Sequence, residues 1–178
     1  MARNVEIKAR VADMAALAAR AAAIADSGPV GIAQDDTFFR CRNDQDGGRL
    51  KLRAFGDGTG ELIFYRRPDQ GGPKESFYVL SPTASPDTLR EALTLAHGQV
   101  GRVVKQRTLF LVGRTRVHLD RVDGLGDFME LEVVLADGEA LDAGVREAHE
   151  LMTRLGIAPG SLVEGAYLDL QRQRTPAA

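Results

Sequence analysis

Charge recurs at every second residue through strand-length segments of this chain, and no other feature restricts its fold so tightly. In residues 4–10, "NVEIKAR", Asn4, Glu6, Lys8 and Arg10 share one parity, and Val5, Ile7 and Ala9 share the other. Successive strand side chains point to opposite faces, so the segment has one apolar face and one charged face. The alternation returns downstream. Arg49, Lys51 and Arg53 oppose Leu50 and Leu52, and Lys105 and Arg107 share a face. Arg114, Arg116, His118 and Asp120 oppose Val117 and Leu119, and Glu130 and Glu132 oppose Leu131 and Val133. A wet outer face on an antiparallel sheet accounts for any one of these strands alone. The distribution of sign argues against it for all of them. Bases dominate the middle strands, while acids sit on the first strand and the last two. Alternation sustained this long is expected of a sheet curled around a polar lumen, with helices covering its apolar outside.

The segments between and beside these strands fit that picture. "ADMAALAARAAAIADSG" reads as a helix with Asp13 as N-cap and Gly28 past its end. "QDDTFFRCR", "RLKLRAF", "ELIFYRR" and "KESFYVL" read as strands. "NDQDGG" is a turn, "GDGTG" a tight hairpin connection, and "PDQGGP" a break. "SPDTLREALTLAHG" is a helix capped by Ser85, with Pro86 in its first turn and Gly98 after it. "RVVKQRTLFLV", "TRVHLDRV" and "FMELEVVL" are three further strands on short connections. "GEALDAGVREAHELMTRLGI" has helical spacing of its apolar residues. Strands joined by short turns must be antiparallel, so the class is α+β with a large antiparallel sheet. Residues 1–171 read as one domain and 172–178 as a disordered tail.

Bulk properties bound the function. The formal net charge is −2, with 27% charged residues in 178. A nucleic-acid binder would carry a basic excess, so none is expected as a partner. One cysteine, Cys41, excludes an internal disulfide and fits a packing or rim residue better than a nucleophile. No apolar run approaches the roughly 20 residues of a membrane span, and charge sits where a signal peptide needs an apolar region. A cytoplasmic location is expected, with no membrane partner; a homodimer is left open.

A lumen lined by Lys and Arg suits a polyanion, because Arg forks match phosphate oxygens and Lys supplies point charge. Acids among those bases would repel bare phosphate. They make sense as ligands for a hard divalent cation that bridges to the phosphates. "GDGTG" lacks the spacing of a phosphate loop and no helix follows it. One of Phe38 and Phe39 must face the lumen side, where it reads as wall packing.

These residues resemble the CYTH superfamily, the triphosphate-tunnel metalloenzymes, over nearly the whole chain. Its opening pattern E-x-E-x-K is matched by Asn4-Val5-Glu6-Ile7-Lys8. "QDDTFF", "RLKLR", "YRRP", "KQR" and "RTRVHLDRVDGLGDFMELEV" match further motifs. The resemblance implies a closed eight-stranded antiparallel β-barrel with helices packed outside. It implies phosphate-binding roles for Lys8, Lys51, Arg53, Arg66, Lys105 and Arg107, with Arg67 as the neighbouring alternative to Arg66. Arg116 joins this set as a tunnel residue sharing parity with Asp120. Glu6, Glu130 and Glu132 are the implied metal ligands, for Mg²⁺ or Mn²⁺. Glu6, Lys8 and the tunnel acid Asp120 are the implied catalytic residues. For His118, a structural hydrogen bond and a ligand-facing role are both open. Asn4 departs from the family pattern by replacing its first glutamate, which keeps an oxygen donor but loses a charge.

The opening strand and "LIFYRRP" look most like the class IV adenylyl cyclase branch, which converts ATP to cyclic AMP and pyrophosphate. The alternative is a triphosphatase acting on tripolyphosphate, thiamine triphosphate or a nucleotide. A second alternative, prompted by Asn4, is a non-catalytic polyphosphate- or nucleotide-binding module. No separate nucleobase motif in the sequence chooses among them.

Overall fold

A computed structural model describes residues 2–42, 47–67 and 72–174. Eight strands close into a barrel: β1 (Ala2–Arg10), β2 (Ser27–Phe39), β3 (Gly48–Phe55), β4 (Gly60–Arg66), β5 (Lys74–Thr83), β6 (Gln99–Val112), β7 (Thr115–Val122) and β8 (Gly126–Val134). Around the ring they run β1-β5-β4-β3-β2-β6-β7-β8, and every neighbouring pair is antiparallel. Closure leaves no open edge and gives each strand an inner and an outer face.

The apolar parity of β1, β7 and β8 faces outward. Val5, Ile7, Val117, Leu131 and Val133 are buried there beneath α1 (Met14–Ile24) and α3 (Leu141–Leu155), whose Leu17, Ala21, Ala148, Leu151 and Leu155 complete the cluster. Gly144 permits this close approach, since a Cβ would lie 2.7 Å from both Leu135 and Val5. The second helix in the chain, α2 (Pro86–His97), follows Ser85. Ser85 holds the cap position, but its side chain makes no capping bond, and Gly98 follows the helix at φ 76°.

Three boundaries differ from the sequence reading. Asp13 does cap α1, accepting from the Ala16 amide at 2.9 Å. The helix then stops at Ile24 rather than running to Gly28, because Asp26 donates its amide to Leu111 and the chain enters β2 at Ser27. β2 therefore begins seven residues before Gln34 (27 against 34), as a ribbon paired only with the far half of β6. At the other end of the chain, residues expected to be a disordered tail are partly helical. A fourth helix, α4 (Tyr167–Arg174), includes Arg172 and Arg174, which donate to the carbonyls of Val100 and Gly124. Residues 175–178, the turn residues 43–46 and the break residues 68–71 lie outside the described residues.

α4 closes one end of the barrel. Tyr167, Leu168 and Leu170 pack with Phe38, Ile63, Tyr65, Val103 and Phe128 in a second apolar cluster. Phe128 meets Tyr167 edge-on, with ring centroids 5.0 Å apart. Gly101 of β6 makes room for the plug, since a Cβ there would collide with Leu168.

Candidate functional site: a charged tunnel

The inward faces of all eight strands line a cavity of about 320 Å³. The charged parities converge on it: Glu6 and Lys8 from β1, Lys51 and Arg53 from β3, Lys105 and Arg107 from β6, Arg116 and His118 from β7, and Glu130 and Glu132 from β8. A wet outer face is therefore not the explanation of the alternation.

Two buried carboxylates organise the bases. Asp36 accepts from Lys51 at 2.9 Å and from Arg53 Nε and Nη2 at 2.7 and 2.8 Å. Asp120 accepts from Lys105 at 3.1 Å, from Arg107 Nε and Nη2 at 2.6 Å each, and from the Tyr167 hydroxyl at 2.9 Å. Each arginine spends one edge of its fork on its aspartate. Nη1 of each makes no hydrogen bond among the described residues, which leaves a donor for a ligand. Burial would raise both carboxyls, but Arg53 and Lys51 at Asp36, and Arg107 and Lys105 at Asp120, outweigh it and hold both well below the usual carboxylate range.

The lysines feel the opposite balance. Burial brings Lys8 down to about 7, although Glu130 works against the shift, and brings Lys51 down to about 8. Lys105 is lowered for the same reason. Lys8 lies 3.3 Å from Glu130, donates to the Gly165 carbonyl at 2.9 Å, and stands 4.1 Å from the Tyr167 ring centroid.

The acids gather on one wall. Glu6 faces Glu132 across the β1–β8 ladder, and Lys8 faces Glu130. The donor atoms of His118, Glu130 and Glu132 all lie within 4.8 Å of one another. This set differs from the expected Glu6, Glu130 and Glu132. Glu6 lies outside it, and its carboxylate is held by Arg67. The corner fits a divalent cation. It offers carboxylate oxygens and an imidazole that burial, with Arg107 nearby, keeps neutral by depressing it well below its ordinary value. Asn4 Oδ1 and His118 Nδ1 are both buried with no hydrogen-bond partner.

Arg66 is placed differently from the sequence expectation. It is exposed, stacked 6.0 Å from the Phe77 ring outside the barrel, while Arg67 lines the cavity. The cause is parity: Glu61, Ile63 and Tyr65 point inward along β4, so the next inward position is 67. Asp120 is 0% exposed and sits behind Lys105 and Arg107 rather than open to the cavity. Arg114, of the same parity, lies at the surface against Glu139 and Glu147. Of the two phenylalanines, Phe38 faces the lumen. The sequence by itself assigns Asp36, within "QDDTFF", no role. The β2–β3 ladder pairs it with the inward Arg53, a register that alternation within one strand does not give. Tyr167 carried no local signal.

This tunnel defines a class: a closed barrel whose inner face is a basic lattice with an acidic corner. The chain belongs to the CYTH domain family, whose family model matches residues 2–167. It is 34% identical over 80 residues to the adenylate cyclase CyaB of Aeromonas hydrophila, a match spanning 45% of this chain and 42% of that protein. The fold is shared with a Pyrococcus horikoshii protein at TM-score 0.82 and 20% identity, covering 94% of this chain and 98% of the other. It is also shared with a Hippeastrum protein named as a candidate adenylyl cyclase and described as having a dominant triphosphatase activity. That likeness has TM-score 0.69 and 14% identity, covering 98% of this chain and 97% of the other. Among the described residues, no helix is long and apolar enough to cross a membrane.

Proposed function

We propose that the tunnel binds a triphosphate together with a divalent cation, Mg²⁺ or Mn²⁺, and that the chain is an enzyme converting ATP to cyclic AMP and pyrophosphate. The observation that carries the triphosphate reading is the convergence of Lys8, Lys51, Arg53, Lys105, Arg107 and Arg116 on one cavity beside the Glu130–Glu132 wall. In this role Arg53 and Arg107 offer their free Nη1 donors to phosphate oxygens, and Asp36 and Asp120 keep both forks aimed. Lys8 and Lys51 add point charge that strengthens as the phosphate chain gains negative charge. Asp120 acts on phosphate through Arg107 and Lys105, as a positioning residue. Arg67 takes the place assigned to Arg66. A cation at the acidic corner would neutralise phosphate charge and activate an attacking hydroxyl.

The cyclase chemistry joins the ribose 3′-hydroxyl to the α-phosphorus, with pyrophosphate leaving. Two observations favour a nucleotide. One is the identity with the adenylate cyclase CyaB over part of the chain. The other is the presence of Ile32, Phe55 and Leu80 in the cavity lining, apolar side chains that a planar base can cover. The second reading is a triphosphatase, in which water attacks the terminal phosphorus. The activity described for the Hippeastrum neighbour favours it. The same tunnel residues serve both.

A product assay with ATP and with tripolyphosphate, in Mg²⁺ and in Mn²⁺, separates the readings. Cyclic AMP and pyrophosphate from ATP support the cyclase. Orthophosphate from either substrate supports the triphosphatase. Binding without turnover would reduce the protein to a binding module.

A further inference from the structure

We infer that His118 is a nitrogen ligand of the tunnel cation, so that this site prefers a divalent ion with greater affinity for imidazole, such as Mn²⁺, Co²⁺ or Zn²⁺, over Mg²⁺. The inference rests on the proposal that the tunnel binds a cation, and it concerns which atoms do so. His118 is 4% exposed, and its Nδ1 has no hydrogen-bond partner. A buried imidazole nitrogen is ordinarily paired, so the vacancy needs a cause. The atom it faces is Glu132 Oε1, 3.5 Å away. That is long for a hydrogen bond, but two ligands of one octahedral ion stand roughly 3 Å apart when each is about 2.1 Å from the metal.

The other oxygens of this wall are more heavily committed. Glu132 Oε2 is 2.8 Å from Arg116, and Glu130 Oε2 is 2.6 Å from Arg107. Glu130 Oε1 is 3.3 Å from Lys8, and Glu6 is taken by Arg67. Asn4 has already removed one carboxylate from the strand. Carboxylates neutralised by four bases hold a hard ion weakly, because Mg²⁺ depends on charge and oxygen. An imidazole lone pair binds without net charge and favours ions later in the Irving–Williams order. The unpaired nitrogen, the neighbouring Glu132 Oε1 and the uncharged Asn4 therefore point to the same donor set.

Pulsed electron paramagnetic resonance on the purified full chain loaded with Mn²⁺ alone tests this. Directly bound imidazole gives a ¹⁴N modulation that carboxylates and water cannot give. His97 and His149 are exposed on α2 and α3, so His118→Gln assigns the signal. The expected result is ¹⁴N modulation in the parent, its loss in His118→Gln, and a fall of about tenfold in preference for Mn²⁺ over Mg²⁺ in a displacement titration. The parent spectrum stands even if the variant folds poorly. Mn²⁺ that binds and is displaced by Glu132→Gln, yet shows no ¹⁴N coupling, overturns the nitrogen ligand and leaves the triphosphate proposal intact. Absence of any Mn²⁺ binding, with or without tripolyphosphate, overturns both.

Discussion

The Tyr167 hydroxyl donates to Asp120 Oδ2 at 2.9 Å, which fastens the last helix to the most buried acid of the tunnel. Asp120 also accepts from Lys105 and from both donors on one edge of Arg107. One carboxylate thus aims two phosphate-facing bases and anchors the plug at the barrel's closed end. Asp120→Asn leaves two buried cations short of a counter-charge. It should lower unfolding free energy by about 3–5 kcal/mol, read by denaturant titration. Tyr167→Phe removes one bond to a charged group and should cost about 1.5 kcal/mol. Equal losses for the two variants would mean that Asp120 does not organise this cluster.

Arg66 and Arg67 should behave as opposites. Arg67→Ala removes a lumen cation and should weaken tripolyphosphate binding by about tenfold or more, while Arg66→Ala should leave it unchanged. Calorimetric titration of both variants against the parent decides this. A loss confined to Arg66→Ala would reverse the orientation of the strand end.

Binding of a polyanion should take up protons. Burial holds Lys8 near 7 and Lys51 near 8, below the ordinary lysine value of 10.5. A bound polyphosphate favours the ammonium forms and raises both. At pH 8 the free protein has lost part of this charge and the complex regains it; at pH 6 both lysines are already protonated. Uptake should be about one proton at pH 8 and near zero at pH 6, and affinity should fall as pH rises above 7. By the same linkage, the free protein should gain stability from these lysines between about 7 and 10.5, because the unfolded chain holds protons the folded one has lost. Titrations in buffers of differing ionisation enthalpy count the protons, and no uptake at pH 8 would contradict the lysine assignment.

Asn4→Glu should couple stability to metal. The new carboxylate would point inward, two residues before Glu6 and diagonal to Glu132. Without a divalent ion it repels both and should lower the melting temperature by several degrees. Saturating Mn²⁺ should raise the variant's melting temperature by more than the parent's. An equal shift in both would place Asn4 outside the reach of the cation.

The period-two alternation of "NVEIKAR", "RLKLR" and "FMELEV" determined the apolar outside, the charged inside, and nearly every base that lines the tunnel. It could do so because strand facing is a local property that repeats every two residues. The same rule reached Asp36 once its pairing with Arg53 was known. Tertiary structure decided the rest. Parity counted along β4 points to Arg67 rather than Arg66, but Arg67 lies one residue past the strand, and only the closed barrel sets it against Glu6. The tail helix has no strong amphipathic signal, and it forms because the open barrel end gives Tyr167, Leu168 and Leu170 apolar surface to bury. The grouping of His118 with Glu130 and Glu132, and the capture of Glu6 by Arg67, depend on the register of ladders between residues far apart in the chain. Those distances exist only after the sheet has closed.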